Sequence, residues 1–125
     1  MAALNEEQTI IRDQAKAWVN DQSPVAKFRE MRDNKTANAF IPQTWSAMVE
    51  MGWTGIIIPE QYGGSDLGYL TFGVIQEELG RQLVASPLFA SALVGTTAIL
   101  LAGSEEQKQE ILPKVVDGSE ILSLA

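Results

Sequence analysis

Three adjacent pairs of carboxylates, Glu6-Glu7, Glu77-Glu78 and Glu105-Glu106, are the side chains in this chain best suited to move a proton. Acid–base work by a pair needs both groups within reach of one reacting atom. Neighbours one apart on a helix point in different directions, so none of the three pairs converges on a shared site. Glu6, Glu7, Glu105 and Glu106 fall in predicted first turns, where negative charge complements the helix dipole. Glu78 lies mid-helix beside an apolar stripe and is expected to pair with Arg81 or with Arg32. The chain has no histidine and no cysteine. That removes the usual general base, the commonest metal ligand and every thiolate. Gly63-Gly64 lacks the GxGxxG pattern and the following Lys or Ser/Thr of a phosphate loop, and reads as a tight turn. No catalytic residue and no metal site is expected.

The segment Ser86–Ala102 is the exception to this plain picture. Leu88, Phe89, Ala90, Ala92, Leu93, Val94, Ala98, Ile99, Leu100 and Leu101 cover every face of a predicted helix. A surface helix has a polar face, so this one is expected to be buried all round or to wall a cavity. Its polar positions are small, Ser91, Thr96 and Thr97, and Gly95 removes a side chain from its middle. A stripe of small residues on an apolar helix leaves room for a slender apolar ligand. A plain central core helix accounts for the same pattern.

The surrounding elements are written in caps and stops. Asn5 with Gln8 forms a capping box for a first helix, whose Ile11, Ala15, Trp18 and Val19 share one face. Ser23-Pro24 opens a short second helix, and Pro42 suits the first turn of a third. Gly52 closes that helix in the left-handed conformation. The apolar run Ile56-Ile57-Ile58 needs cover on more than one side. A fourth helix spans about Leu70 to Leu83 with Phe72, Ile75 and Leu79 inward; its Gly73 and Gly80 read as close-packing positions. Ser86-Pro87 starts the fifth helix and Gly103 ends it. Ser104 with Gln107 caps a sixth, which Pro113 is expected to break or kink. Residues 120–125 read as the start of a strand that further chain would pair.

The bulk numbers agree with one helical domain. The 125 residues are 46% hydrophobic and 20% charged, with a net charge of −7. An acidic chain of this kind does not offer the clustered positive charge of a nucleic-acid surface. Leu88–Ala102 would span roughly 22 Å as a helix, short of the roughly 30 Å of a bilayer core, so no membrane span is expected. No secretory signal or Arg-rich transit peptide is read at the N-terminus, and a cytoplasmic location is expected. The expected fold is all-α, an orthogonal or up-down bundle of about five to six helices. Residues 1–119 form the helical domain, and 120–125 begin a truncated β-domain.

Four stretches together resemble the N-terminal helical domain of the acyl-CoA dehydrogenase family. They are GWTGIIIPEQYGG (Gly52 to Gly64), EELGR (Glu77 to Arg81), AGSEEQKQEILP (Ala102 to Pro113) and the closing ILSLA. They stand in the family's order and spacing over roughly residues 4 to 125. The resemblance implies a flavoprotein oxidoreductase of lipid metabolism that desaturates an acyl-CoA thioester between its α- and β-carbons. FAD is held mainly by domains outside this segment, and the base is a carboxylate of a later domain. The resemblance places Phe89, Ala90, Ser91, Leu93 and Val94 in the wall of the acyl cavity and Leu124 near the flavin. It implies an electron-transferring flavoprotein or similar acceptor and a homo-tetramer or dimer. A non-catalytic subunit of a hetero-oligomer and a stand-alone helical acyl-binding module are the alternatives.

Overall fold

The computed structural model describes residues 3–125; residues 1 and 2, the first of the predicted 1–119 domain, lie outside them. Six α-helices follow in order: α1 (Glu6–Gln22), α2 (Val25–Asp33), α3 (Pro42–Glu50), α4 (Gly68–Arg81), α5 (Thr96–Ala102) and α6 (Glu105–Val116). Short 3-10 turns at Trp53–Gly55 and Glu60–Tyr62 bridge α3 to α4, and a π-helical stretch, Phe89–Gly95, runs straight into α5. No strand occurs among the described residues, so the fold is all-α.

The helix ends follow local chemistry. The Asn5 carboxamide accepts from the Gln8 amide at 2.7 Å, and Gln8 returns a bond to the Asn5 N–H at 3.1 Å. Ser104 and Gln107 repeat this reciprocal cap on α6. Pro42 occupies the first turn of α3, and Gly52 follows that helix with φ +76°. Each cap satisfies amides or carbonyls that the helix itself leaves without partners.

α1 and α4 lie side by side in the same direction. Asn20, near the end of α1, accepts from the Gln82 amide, and the Gln82 carbonyl oxygen caps the Val25 N–H at the start of α2. Between the two helices Ala15, Val19, Phe72, Ile75 and Leu79 are buried, and they join Trp45, Met48 and Trp53 in the main core. Trp18 and Trp53 meet edge to face with ring centroids 4.8 Å apart. Burying each large apolar side chain contributes about 1.5–3 kcal/mol, far more than helix propensity supplies. Arg81 pairs with Glu77 at 2.9 Å and with the buried Glu78 at 3.4 Å. Arg32 pairs instead with Asp33.

Residues 52–67 fold back on themselves. The amides of Ser65, Asp66 and Leu67 donate to the carbonyls of Gly55, Ile58 and Ile56. This supplies the backbone partners that the buried Ile56-Ile57-Ile58 run requires, without a strand. Ile58 and Tyr62 then form a second core with Leu112 and Val115 of α6. The Thr54 hydroxyl donates to the Val116 carbonyl at 2.7 Å, tying the far end of α6 to the same loop.

Tyr62 is buried, and its hydroxyl donates to a Glu105 carboxylate oxygen at 2.7 Å. That bond, burial and the Glu105 charge raise the phenol above its ordinary value of 10.0. The folded state therefore holds this proton more tightly than the unfolded chain does. The stabilisation is complete below the ordinary tyrosine value and is lost as pH rises through the raised one. Tyr62→Phe is expected to remove a phenolate absorbance step that lies above the ordinary tyrosine value. An unchanged titration would contradict this assignment.

Several sequence expectations change. α6 runs on through Pro113 to Val116 instead of breaking, because Leu112 and Val115 on either side are fully buried. A Cβ at Gly73 or Gly80 would meet nothing within 4 Å, so neither glycine serves close packing. Gly80→Ala is accordingly expected to stabilise the domain by about 0.5–1 kcal/mol in denaturant unfolding, through loss of backbone freedom in the unfolded chain. A neutral or destabilising result would mean that the helix needs the glycine. The strand expected at 120–125 is absent: the Glu120 amide donates to the Lys114 carbonyl and the Leu122 amide to the Ser91 hydroxyl, with no neighbouring strand.

Candidate functional site

Pro87 to Ala102 is where the structure departs most from ideal helix. The Thr96 amide donates to the carbonyls of Leu93 and Ser91, and the Thr96 hydroxyl also donates to Ser91 O at 2.9 Å. The five-residue reach to Ser91 widens the turn into a π-helix, a form that concentrates at functional sites. Leu88, Ser91, Ala92, Gly95 and Thr96 are buried. Phe89 is 56% exposed and Leu101 83% exposed.

Small and polar side chains are buried here together with Leu88, while Phe89 and Leu101 face out. The expectation that this helix is covered on all sides fails for the described chain. The first turn of α4 lies alongside, where the Tyr69 and Thr97 hydroxyls share a 3.0 Å hydrogen bond, and Tyr69 and Leu70 add further exposed apolar surface. An outward apolar face of this kind marks a ligand or protein contact.

The six residues singled out from the sequence do not stand equally. Phe89 lies open on the exposed side, and Ala90 and Val94 are half-buried. Leu93 is half-buried and packs on the main core. Ser91 is fully buried, with its hydroxyl taken up by the Leu122 amide at 3.0 Å. Leu124 is 67% exposed. Two hollows of about 260 and 280 Å³ lie elsewhere, one lined by α1 and α4 residues, the other by α2, α3 and their connection. Neither includes a residue of 86–102. Phe89, Ala90 and Val94 thus belong to an open face, not to an enclosed cavity within this chain.

Gly95 and Thr96 were not singled out as site residues by sequence reasoning. A Cβ at Gly95 would collide with Leu122 Cβ, so the Leu122 side chain packs directly on the Gly95 backbone. The available signal was a glycine four residues after a lone serine in an apolar helix. Leu122 itself packs on the second core. Residues 119–125 thus form a strap from the end of α6 to the π-helix. Among the described residues no three-residue His, Cys, Asp or Glu group is placed to hold a metal, and no helix is long and apolar enough to cross a membrane.

The described residues form an all-α domain whose π-helix carries an exposed Phe89 beside half-buried Ala90 and Val94. The sequence profile described as "Acyl-CoA dehydrogenase, N-terminal domain" matches residues 5–119, and the chain belongs to the acyl-CoA dehydrogenase family as that domain. It is 33% identical over 126 residues to (2S)-methylsuccinyl-CoA dehydrogenase of Cereibacter sphaeroides, covering 99% of this chain and 22% of that protein. A solved structure described as the Tcur3481-Tcur3483 steroid ACAD G363A variant superposes with a TM-score of 0.83 at 31% identity, covering 94% of this chain and 32% of the other. The ChsE4-ChsE5 complex of Mycobacterium tuberculosis gives a TM-score of 0.87 at 25% identity, covering 100% of this chain and 34% of the other. The chain spans between 22% and 34% of the length of these relatives.

Proposed function

We propose that this domain serves an FAD-dependent acyl-CoA dehydrogenase, in which Phe89, Ala90, Leu93 and Val94 help wall the acyl cavity. The observation that carries the reading is the open apolar face on the π-helix, in a domain whose family match runs from residue 5 to 119. Bound FAD supplies the hydride acceptor for desaturation of the acyl-CoA. The chain's own residues exclude water from the acyl chain and fix its position. No general base is assigned among them, in keeping with a carboxylate base on another domain.

The fit to the flavin is that of an edge contact. Leu124 is 67% exposed. An exposed apolar side chain suits the rim of a planar ring. No phosphate cradle accompanies it, so the rest of the dinucleotide requires other residues.

The partners that follow are an acyl-CoA, an electron-transferring flavoprotein or similar acceptor, and further subunits in a dimer or tetramer. A cytoplasmic location belongs to the same reading. A second reading, a non-catalytic subunit of a hetero-oligomer, is favoured by the two-component names of both solved relatives. The test is to purify the full-length gene product, record its flavin spectrum and follow dye reduction with a panel of acyl-CoAs. Bound flavin bleached by an acyl-CoA supports the first reading. Flavin and activity that arise only with a co-expressed partner support the second. Neither under both conditions overturns both.

A further inference from the structure

We infer that Ser91, Gly95 and Thr96 form a latch that fixes the strap 119–125, and that Ser91 is a positioning residue instead of part of the acyl wall. The functional consequence rests on the flavoenzyme reading above; the latch itself does not.

Four observations meet at this point. Ser91 is fully buried, so it presents no surface to a ligand. Its hydroxyl accepts from the Leu122 amide at 3.0 Å, across 31 residues of sequence. Thr96, also fully buried, donates its hydroxyl to Ser91 O at 2.9 Å and holds the widened turn that presents Ser91. Gly95 lets the strap approach, since a Cβ there would lie 2.4 Å from Leu122 Cβ and 3.2 Å from Leu122 Cδ1. Leu122 also packs against the second core. Beyond the hydrogen bonds that tie Ser119 and Glu120 to the end of α6, the strap is thus held by one directed hydrogen bond, one close approach and one apolar contact.

The geometry connects two regions that the family resemblance treats separately. The π-helix carries Phe89, Ala90 and Val94, and Leu124 follows two residues beyond the latched amide. The direction in which Leu124 leaves the domain is set at Ser91. A partly buried backbone amide calls for a partner, and the serine hydroxyl supplies it.

The experiment uses the full-length protein with Ser91→Ala, Gly95→Ala and, as the conservative control, Ser91→Thr, which keeps a hydroxyl. Amide hydrogen exchange at Leu122 is read by mass spectrometry, with the flavin's visible absorbance and circular dichroism and the acyl chain-length profile. Ser91→Ala is expected to speed Leu122 exchange about fivefold, the factor for one ordinary hydrogen bond. It should alter the flavin dichroism and leave chain-length preference unchanged, with Ser91→Thr closer to wild type. Gly95→Ala should speed the same exchange through steric displacement. Should Gly95→Ala fail to fold, the two Ser91 variants decide the matter. Unchanged Leu122 exchange in Ser91→Ala overturns the latch. A shifted chain-length preference with unchanged dichroism returns Ser91 to the acyl wall. Wild-type protein that binds no flavin defeats the flavoenzyme reading alone, because the Leu122 exchange still tests the latch.

Discussion

Gly64→Ala is expected to cost about 3 kcal/mol or more of stability, at the upper end of overpacking effects. A Cβ at this position would lie 1.9 Å from the Ile58 carbonyl oxygen and 2.5 Å from its carbon. Both are backbone atoms, so no rotamer change relieves the contact. Ile58 is fully buried, and its carbonyl already accepts from the Asp66 amide. Moving it would break the self-pairing of residues 52–67 and open the second core. Gly63→Ala is the control: its Cβ would meet nothing within 4 Å, but φ is +91°. It should cost about 1–2 kcal/mol through backbone strain alone. Urea unfolding of both variants measures the difference. A Gly64→Ala protein within about 1 kcal/mol of wild type would show that the loop relaxes more freely than its hydrogen bonds imply.

The second large effect is on substrate choice. On the proposed reading, Val94→Trp should lower kcat/KM for the longest accepted acyl-CoA by about 10–200-fold, the range for crowding an apolar pocket by one methylene, while sparing short ones. Ala90→Trp should act the same way. Both residues are half-buried beside an open face, so the indole has somewhere to go without entering the main core. Leu93 packs on that core, and Leu93→Trp should damage folding instead. Equal loss across all acyl lengths, together with a lowered melting temperature, would make Val94 an ordinary packing residue.

What could be read from the sequence was local. The Asn5–Gln8 and Ser104–Gln107 caps, Pro42 and Gly52 act within four residues of themselves, and each sits where the spacing predicts. The inward stripe of α4 was equally legible, because Phe72, Ile75 and Leu79 repeat at the helical period. The contact of Ser91 with Leu122 was not, since it spans 31 residues and no local signal carries it. Of the break or kink read at Pro113, the break does not occur, since burial of Leu112 and Val115 outweighs one lost hydrogen bond. Of the candidate site, Phe89, Ala90 and Val94 stand on an open face as a ligand wall would need. The role of Ser91 changes because its partner lies in a segment that reads as a strand.

The parallel pairing of α1 with α4 also bears on synthesis. The Asn20–Gln82 bond joins residues 62 apart in sequence. At about 5–20 residues per second, a ribosome takes about 3–12 s to add that many residues. For much of that interval the α4 side chains that cover Ala15 and Val19 are missing, although Trp53, the edge-to-face partner of Trp18, is made earlier. The nascent chain thus passes through a sticky stage that the finished domain conceals, and the segment a holdase chaperone would meet first is the one buried deepest against α4 at the end.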